Sequence, residues 1–464
     1  MSKASFKHTP LHEGQIRLLT LSRTNGQISC SLTAHSFQKC PAYFALSYVW
    51  GPPPPEHEIL VNGCTFMIRE NLHACLSSLL RRPHELSKEP KIERPPWRPG
   101  QARNKAEAKP TKTEISHFWI DQLCIDQTSI AERNAQVTLM DQIYARTTET
   151  VVWVGAPTIE LKELIVPLRV LGCGDPDLDD ICRILTKPYW TRLWIVQEFL
   201  LSPLLTIRYG DESYDWDMFE SLARDVARVL GGSEYEQKLG RHQDKITFQR
   251  AGLFMGLPDA PACLLNDRRS EYPLLKVQGG RGMSMLLNRF AQQECEMLVD
   301  KVYALQSLMY PRARIEIDYS LKPEELLYEV VDKLASSEGD DVFEEEQMDV
   351  CLAVRRALKV PATKQSSERM ARTILQYVVK RLESVGECLS AKEQEIGLSW
   401  YLRYLEDPGS IRIPFKYRLN SMERGTYKEF MMEKIVSDMM DRASLAKALK
   451  NPAPTVPSRI RNGP

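Results

Sequence analysis

The chain has 464 residues, and its 61 Lys and Arg balance its 61 Asp and Glu. This balance excludes a general electrostatic attraction to nucleic acid or to an anionic membrane, and a content of 43% hydrophobic residues is typical of a folded globular protein. The length exceeds the usual size of one domain, so we expect two or three packed units.

Cysteine and histidine usage bears on redox environment and metal binding. The eleven cysteines form no CxxC pair, which favours buried free thiols in a reducing compartment. The histidines and cysteines also lack zinc-ligand spacing, so no metal site is predicted. The apolar runs are too short or too charged to cross a bilayer, and the amino-terminal residues lack the apolar stretch of a secretory signal. We expect a cytoplasmic protein without a membrane span.

Three short apolar runs predict strands that are buried on both faces. They occupy residues 43–51 (YFALSYVWG), 117–126 (HFWIDQLCID) and 150–155 (TVVWVG). Between the second and third runs, Ser129 and Glu132 have the spacing of a helix capping box. A strand, a helix and a strand in this order predict a βαβ unit and a parallel sheet.

The alternation continues after the third strand. A helix is predicted to begin near Pro188 and to carry Glu198 among apolar neighbours. Residues 205–211 (LTIRYGD) predict another strand, and Asp217 with Glu220 would open the next helix. The α/β pattern therefore reaches about residue 210.

The predicted organisation has four parts. Residues 81–114 contain ten basic and five acidic residues with several prolines, which is typical of a mobile surface insertion. A nucleic-acid-binding arm is the alternative there, but Trp97 alone gives no regular array for base stacking. We expect an N-terminal segment at 1–42, an α/β domain at 43–210 that holds this insertion, a helical extension at 211–338, and a helical C-terminal region at 350–464 with a frayed tail.

Asp121 and Asp126 lie at and after the end of the second predicted strand. Open α/β sheets place their ligand crevices at the carboxyl ends of strands, where two carboxylates could hold a divalent cation or a sugar hydroxyl. In the other interpretation, both residues cap the backbone amides of the following loop.

Glu198 stands in an apolar helix, where desolvation disfavours a carboxylate unless it is paired. One interpretation pairs it with a base such as Arg192 or turns it to solvent. The other is catalytic: the carboxylate would stabilise positive charge on a ribose as a glycosidic bond breaks. Trp194, one turn earlier, would pack in the core or stack on a nucleobase.

Three blocks in order resemble the heterokaryon incompatibility (HET) domain of fungi. They are ALSYVWG (45–51), WIDQLCIDQTSIAERNAQVTLMDQIYARTTETVVWVG (119–155) and YWTRLWIVQE (189–198), and together the resemblance covers about residues 43–200. It implies a cytosolic protein that arrests growth or kills cells when incompatible strains fuse, with a protein partner or a second copy in the signal. The insertion at 81–114 is longer than the spacer of the family.

A fainter resemblance concerns the TIR domain. The pair Ser47 and Tyr48 after the first strand, then VVWVG, then a W-x-x-x-E pattern at Trp194 and Glu198, is similar to the TIR pattern. In NAD-cleaving members that glutamate is catalytic. The resemblance implies a parallel-sheet, TIR-like or flavodoxin-like domain followed by mostly helical regions.

Two functions from different classes follow from these resemblances. In the enzymatic one, NAD is the substrate rather than a resident cofactor, and Glu198 is the catalytic residue. The NAD pocket is then lined by Ser47, Tyr48, Asp121, Asp126 and Trp194. In the other, the domain is a non-catalytic signalling module that self-associates or binds a partner.

Overall fold

A computed structural model describes residues 4–81, 116–156, 176–231, 280–336, 344–384 and 388–406. The predicted insertion, apart from Arg81, and the predicted frayed tail lie outside these residues. The chain divides into two compact units. The first comprises residues 1–281, 289–311 and 316–320, and the second comprises 282–288, 312–315 and 321–464.

Among the described residues, nine strands of the first unit form one sheet. The strands are β1 (Gln15–Thr24), β2 (Gln27–Ser36), β3 (Tyr43–Tyr48), β4 (His57–Val61), β5 (Cys64–Ile68), β6 (His117–Trp119), β7 (Glu149–Trp153), β8 (Leu205–Tyr209) and β9 (Glu212–Asp215). Their order across the sheet is β5-β4-β2-β1-β6-β3-β7-β8-β9.

The centre of the sheet is parallel and its flanks are mixed. Strands β6, β3, β7 and β8 pair in parallel, in that order. On one side β1 pairs antiparallel with both β6 and β2, and on the other β9 pairs antiparallel with β8. The fold is therefore mixed α/β: the central strands are parallel as predicted, and the flanks combine antiparallel pairs with one parallel pair, β2 with β4. Strands β1 and β2 fall in the predicted N-terminal segment but belong to this same sheet.

Among the described residues, helices alternate with the strands after β5 and continue after the last strand. They are α1 (Glu70–Arg81), α2 (Asp121–Cys124), α3 (Ile130–Arg146), α4 (Pro176–Leu185), α5 (Ile195–Leu201), α6 (Trp216–Gly231), α7 (Met283–Arg289), α8 (Asp300–Tyr303), α9 (Pro323–Ser336), α10 (Glu344–Ala357), α11 (Lys364–Ser384) and α12 (Ala391–Glu406). The prediction of helical regions after the α/β part is confirmed. Within the described ranges, no helix combines the length and the apolar character that a bilayer crossing requires.

Several predicted element boundaries need correction. The second predicted strand ends at Trp119, and Asp121 already begins α2. The helix predicted from Pro188 is divided into a 3-10 turn at Pro188–Thr191 and α5. Helix α6 begins at Trp216 because Asp215, not Asp217, accepts a hydrogen bond of 2.8 Å from the backbone amide of Met218.

The capping box before α3 is confirmed in one of its two halves. The Ser129 hydroxyl accepts a hydrogen bond of 3.3 Å from the Glu132 amide. The carboxylate of Glu132 instead accepts hydrogen bonds from the Asp126 amide and from Arg17 of β1. The second half of the capping box is therefore replaced by a tertiary contact between Glu132 and the sheet.

The buried centre of the sheet explains the continuous apolar runs. Every residue of β3 is buried, as expected for a strand covered on both faces. Two tyrosine hydroxyls connect β3 to α3: Tyr43 donates to the Ile143 carbonyl at 2.7 Å, and Tyr144 donates to the Leu46 carbonyl at 3.0 Å. These hydrogen bonds satisfy buried polar groups and fix the helix relative to the strand.

Candidate functional site

Two neighbouring strands bring polar residues to one edge of the sheet. Ser47 and Tyr48 end β3, and Asp121 follows β6. Since β3 and β6 are parallel neighbours, their carboxyl ends meet at the same edge. There Trp50 donates a hydrogen bond of 2.7 Å from Nε1 to Oδ2 of Asp121. The edge therefore holds a half-buried carboxylate with a fixed orientation.

Glu198 of α5 reaches the same edge from the helix. Its side chain is only 2% exposed, and Oε2 accepts a hydrogen bond of 2.5 Å from the Ser47 hydroxyl. The Ser47 hydroxyl also lies 2.8 Å from the hydroxyl of Tyr189. Glu198 therefore does not face solvent; it belongs to a buried polar cluster with Ser47 and Tyr189.

Burial governs the protonation of Glu198. Desolvation raises the pKa of this carboxyl to about 7, although the positive charge of Arg192 and the hydrogen bond from Ser47 both oppose the shift, and the charge of Asp121 adds to it. A carboxyl group with this pKa is close to half ionised at neutral pH. It can therefore change protonation state in the physiological range, as catalytic carboxyl groups do.

Arg192 connects the two acids electrostatically. Burial raises the pKa of Asp121, while the charge of Arg192 and the hydrogen bond from Trp50 oppose this rise. The guanidinium also donates a hydrogen bond to the Tyr48 carbonyl. The structure therefore brings four of the predicted site residues together around Arg192: Ser47, Tyr48, Asp121 and Glu198.

The other two predicted site residues make their contacts elsewhere. Asp126 accepts hydrogen bonds from the amide of Thr128 at 3.0 Å and from its hydroxyl at 2.6 Å. This is the loop-capping interaction that the sequence allowed for this residue. Trp194 precedes α5, and its half-buried side chain packs against the core.

Tyr189 and Trp50 are members of the site that the sequence did not single out as such. The only signal for Tyr189 is its place in the third resemblance block, beside Arg192. Its role depends on a long-range contact with Ser47, 142 positions away, which no local pattern indicates.

A cavity of about 490 Å³ lies beside the carboxyl ends of β7 and β8. Trp153 and Tyr209 line the cavity from the strands, and residues of α1 line it from the helix. The lining consists of His73, Ala74, Ser77, Arg81, Trp153, Ala156, Asp180, Tyr209, Gly210, Asp211 and Glu212. Glu198 does not line this cavity, so the cavity and the buried acid are separate features of the same sheet edge.

One group of described residues could hold a metal ion. His57, Glu70 and His73 have ligand atoms that all lie within 4.8 Å of one another. The sequence predicted no metal site because these residues are not arranged at zinc-finger spacing. The hairpin of β4 and β5 brings His57 to the beginning of α1.

Comparison with known proteins identifies part of this unit. Residues 104–167 match the family model described as "Heterokaryon incompatibility protein (HET)". This segment matches a HET domain. The chain is also 30% identical over 164 residues to "Heterokaryon incompatibility protein 6, OR allele" of Neurospora crassa, an alignment that covers 34% of this chain. The chain spans about a fifth (21%) of the length of this curated relative. No solved structure matches the chain.

The HET match is narrower than the resemblance that the sequence predicted. Residues 104–167 include β6, α2, α3 and β7, and with them Asp121 and Asp126. Ser47 and Glu198 lie outside the matched residues, and the structure joins them to Asp121 through the sheet edge. The matched residues therefore include β6 and β7, which are the second and third of the central strands in chain order.

Proposed function

We propose that the chain acts in heterokaryon incompatibility, the rejection of non-self cells after fungal fusion, and that it acts in the cytoplasm by triggering cell death. The HET match and the similarity to heterokaryon incompatibility protein 6 of Neurospora crassa support this proposal. A protein partner or a second copy of the chain would carry the recognition signal.

The proposed HET domain has a flavodoxin-like or TIR-like core. The central parallel strands β3, β6, β7 and β8 are the first to fourth of this group in chain order. Across the sheet they lie in the order second, first, third, fourth. This is the beginning of the flavodoxin-like order, in which ligands bind where the strand order reverses, beside the first strand. Ser47 and Tyr48 end that first strand, which supports a ligand site there.

The proposed activity is cleavage of NAD, with Glu198 as the catalytic residue. The bond between ribose C1′ and the nicotinamide nitrogen breaks, and its electron pair leaves with the nicotinamide, neutralising the positive ring nitrogen. The Glu198 carboxylate stabilises the oxocarbenium-like ribose that remains. Water then adds to C1′ and releases a proton, so that the products are nicotinamide and ADP-ribose.

The observation that carries this proposal is the buried Glu198 beside Ser47, with a pKa of about 7. A carboxylate in a dry site stabilises a developing cation much more strongly than it would in water. Ser47, Tyr48 and Asp121 lie at the same edge and could bind the ribose hydroxyls. Asp126 and Trp194 contribute to the proposed pocket less directly, since Asp126 bonds Thr128 and Trp194 packs against the core.

Catalysis by Glu198 requires a movement that uncovers its carboxyl group, which is 2% exposed. Movement of Tyr189 would contribute, because its hydroxyl lies against Ser47 and its backbone belongs to a short 3-10 turn. A closing site that excludes water in this way is common where a reactive intermediate must be protected.

The test measures nicotinamide release from NAD by the purified chain and by two variants. Glu198→Gln removes the ionisable group but keeps the side-chain shape, and we expect at least about a 100-fold loss of rate. The matched control is Glu149→Gln at the amino end of β7, where burial also raises the pKa of the carboxyl. It should retain the activity. Equal, slow NAD loss by wild type and Glu198→Gln would remove the enzymatic proposal.

The second candidate function is a non-catalytic signalling module. The observation that favours it is the closure of the Glu198 cluster, in which Ser47 and Glu198 join β3 to α5 inside the fold. Glu198 would then stabilise a domain that kills through self-association or a partner. Overexpression in a fungal host distinguishes the two: Glu198→Gln still kills cells if the module is non-catalytic, and loses toxicity together with NAD cleavage if it is an enzyme.

A further inference from the structure

We propose that His57, Glu70 and His73 form a binding site for one divalent cation of the zinc type. His57 begins β4, and the other two residues lie in the first turn of α1. Their ligand atoms all lie within 4.8 Å of one another. Two imidazoles and one carboxylate form a known ligand set for zinc, and imidazole also suits copper and nickel ions.

The backbone already holds the three residues in position. His57 pairs with Ile68 in the β4–β5 hairpin, and Ile68 stands only two residues before Glu70. Glu70 and His73 are three positions apart, so that their side chains share one face of α1. The amide of His73 donates a hydrogen bond of 3.1 Å to the Arg69 carbonyl. A bound ion would therefore need to order side chains only.

The side chains are close to one another, but they are not yet in a tetrahedral arrangement. Nε2 of His57 contacts Oε2 of Glu70, and the rings of His57 and His73 stack with centroids 4.3 Å apart at an angle of 11°. Ligand atoms at about 2.1 Å from a tetrahedral ion lie about 3.4 Å from one another. The ion must therefore draw the three atoms together and tilt the two rings.

The surroundings leave room for this change. The side chain of Glu70 is 68% exposed and that of His57 is 31% exposed, so both can rotate without disturbing the core. Glu70 supplies the negative charge of the site, while the charge of Arg23 acts on His73 and weakens the attraction for a cation. Two neutral imidazoles and one carboxylate would still give a dication a favourable set of ligands.

Three protein ligands leave the fourth position of a tetrahedral ion to water, as in catalytic rather than structural zinc sites. His73 also lines the cavity beside β7 and β8, so the ion would lie next to a space that admits a small molecule. The site would fasten the β4–β5 hairpin to α1. It contains none of the residues assigned to NAD cleavage, so its test is independent of that proposal.

The experiment titrates zinc chloride into the metal-free full chain and follows the heat of binding. We expect one equivalent to bind. His57→Asn, Glu70→Gln and His73→Gln should each weaken the affinity by at least about 100-fold, because even residues that only support a ligand contribute 10-fold to 100-fold. The matched control is His35→Gln, which alters another pair of neighbouring histidines, His35 and His117, whose ring centroids are 6.1 Å apart. It should leave the affinity unchanged.

A second measurement distinguishes zinc binding at this site from zinc binding at cysteine thiols, since Cys64 is half-buried and Cys388 is exposed. Zinc should raise the unfolding temperature of the wild type and of His35→Gln, but not that of His57→Asn or His73→Gln, since only a ligand of the folded site stabilises the fold. Absence of stoichiometric binding by the wild type overturns the proposal. So does an affinity that His57→Asn and His73→Gln leave intact.

Discussion

Ser47 donates a hydrogen bond of 2.5 Å to Glu198 across 151 positions of sequence. The serine ends β3, the first strand of the parallel centre, and the glutamate lies on α5, which follows the third of those strands. Both side chains are almost fully buried. The stability of the fold and the proposed chemistry consequently depend on the same contact.

Ser47→Ala should destabilise the first unit in a pH-dependent way. At pH 8 most Glu198 carboxyls are ionised, so the variant loses a hydrogen bond to a charged group, at a cost of about 1.5–3 kcal/mol. At pH 5 the carboxyl is protonated, and the lost bond is a neutral one that contributes about 0.5–1.5 kcal/mol. Urea unfolding followed by tryptophan fluorescence at both pH values measures the difference.

Ser78→Ala is the matched control for this prediction. Ser78 is also fully buried, and it donates a hydrogen bond of 2.7 Å to the Gly210 carbonyl. The partner has no titratable carboxyl, so the cost of this change should be equal at the two pH values. An equal cost at both pH values for Ser47→Ala as well would show that Glu198 does not titrate between them.

The pKa of Glu198 predicts how its contribution to stability varies with pH. Its value of about 7 in the folded state exceeds the ordinary 4.5, so the folded state holds the proton more tightly than the unfolded chain. The stabilisation is complete below pH 4.5 and is lost as the pH rises through 7. Between pH 5 and pH 8 this loss amounts to about 2–3 kcal/mol.

Glu198→Gln isolates this contribution, because glutamine does not titrate. The free energy of unfolding of the variant minus that of the wild type should rise by about 2–3 kcal/mol from pH 5 to pH 8. Other buried acids, such as Glu149 and Asp300, titrate in both proteins and cancel in the difference. A difference that stays constant with pH would contradict the raised pKa.

Local patterns in the sequence predict the central strands well and the flanking hairpins poorly. Residues 43–48 and 150–153 belong to mainly apolar runs, which are typical of a strand buried on both faces. Strand β2 instead alternates between buried and exposed residues. A signal for its hairpin did exist: Asn25 and Gly26, both with positive φ, form the two-residue turn between β1 and β2.

The candidate site was predictable to the extent that it follows from strand direction. Ser47 lies near the carboxyl end of β3 and Asp121 follows β6, and parallel strands bring such ends together. The burial of Glu198 beside Ser47 was not predictable, because it depends on how α5 packs on the sheet. The group of His57 and His73 was missed for a related reason: it requires the β4–β5 hairpin, whose strands give weak patterns.

The buried ion pair of Arg17 and Glu132 should contribute strongly to stability. Arg17 is 2% exposed and bonds both oxygens of Glu132, at 2.5 and 3.0 Å, as well as the Cys124 carbonyl. Glu132→Gln leaves the guanidinium without its counter-charge in the interior, and we expect a loss of about 3–5 kcal/mol. Urea unfolding at neutral pH measures it.

An exposed ion pair of the same domain serves as the comparison. Arg81 and Asp211 lie 2.8 Å apart, with their side chains 53% and 39% exposed. Solvent screens this pair, so Asp211→Asn should cost no more than about 1 kcal/mol. Equal costs for the two substitutions would mean that the Arg17 side chain is not confined to the interior.

Asp121→Asn should lower the pKa of Glu198. The negative charge of Asp121 is one of the causes that raise this pKa, and its removal leaves the charge of Arg192 to act on Glu198 without competition. Both effects favour the ionised carboxylate. The pKa follows from the pH dependence of the unfolding free energy, compared between Asp121→Asn and the double variant Asp121→Asn with Glu198→Gln.

If NAD cleavage depends on ionised Glu198, the acidic limb of its pH profile should move to lower pH in the Asp121→Asn variant. Asp126→Asn is the control, because Asp126 makes its hydrogen bonds to Thr128 and is not among the charges that act on Glu198. A pKa that both substitutions leave unchanged would mean that the two acids at the sheet edge do not interact.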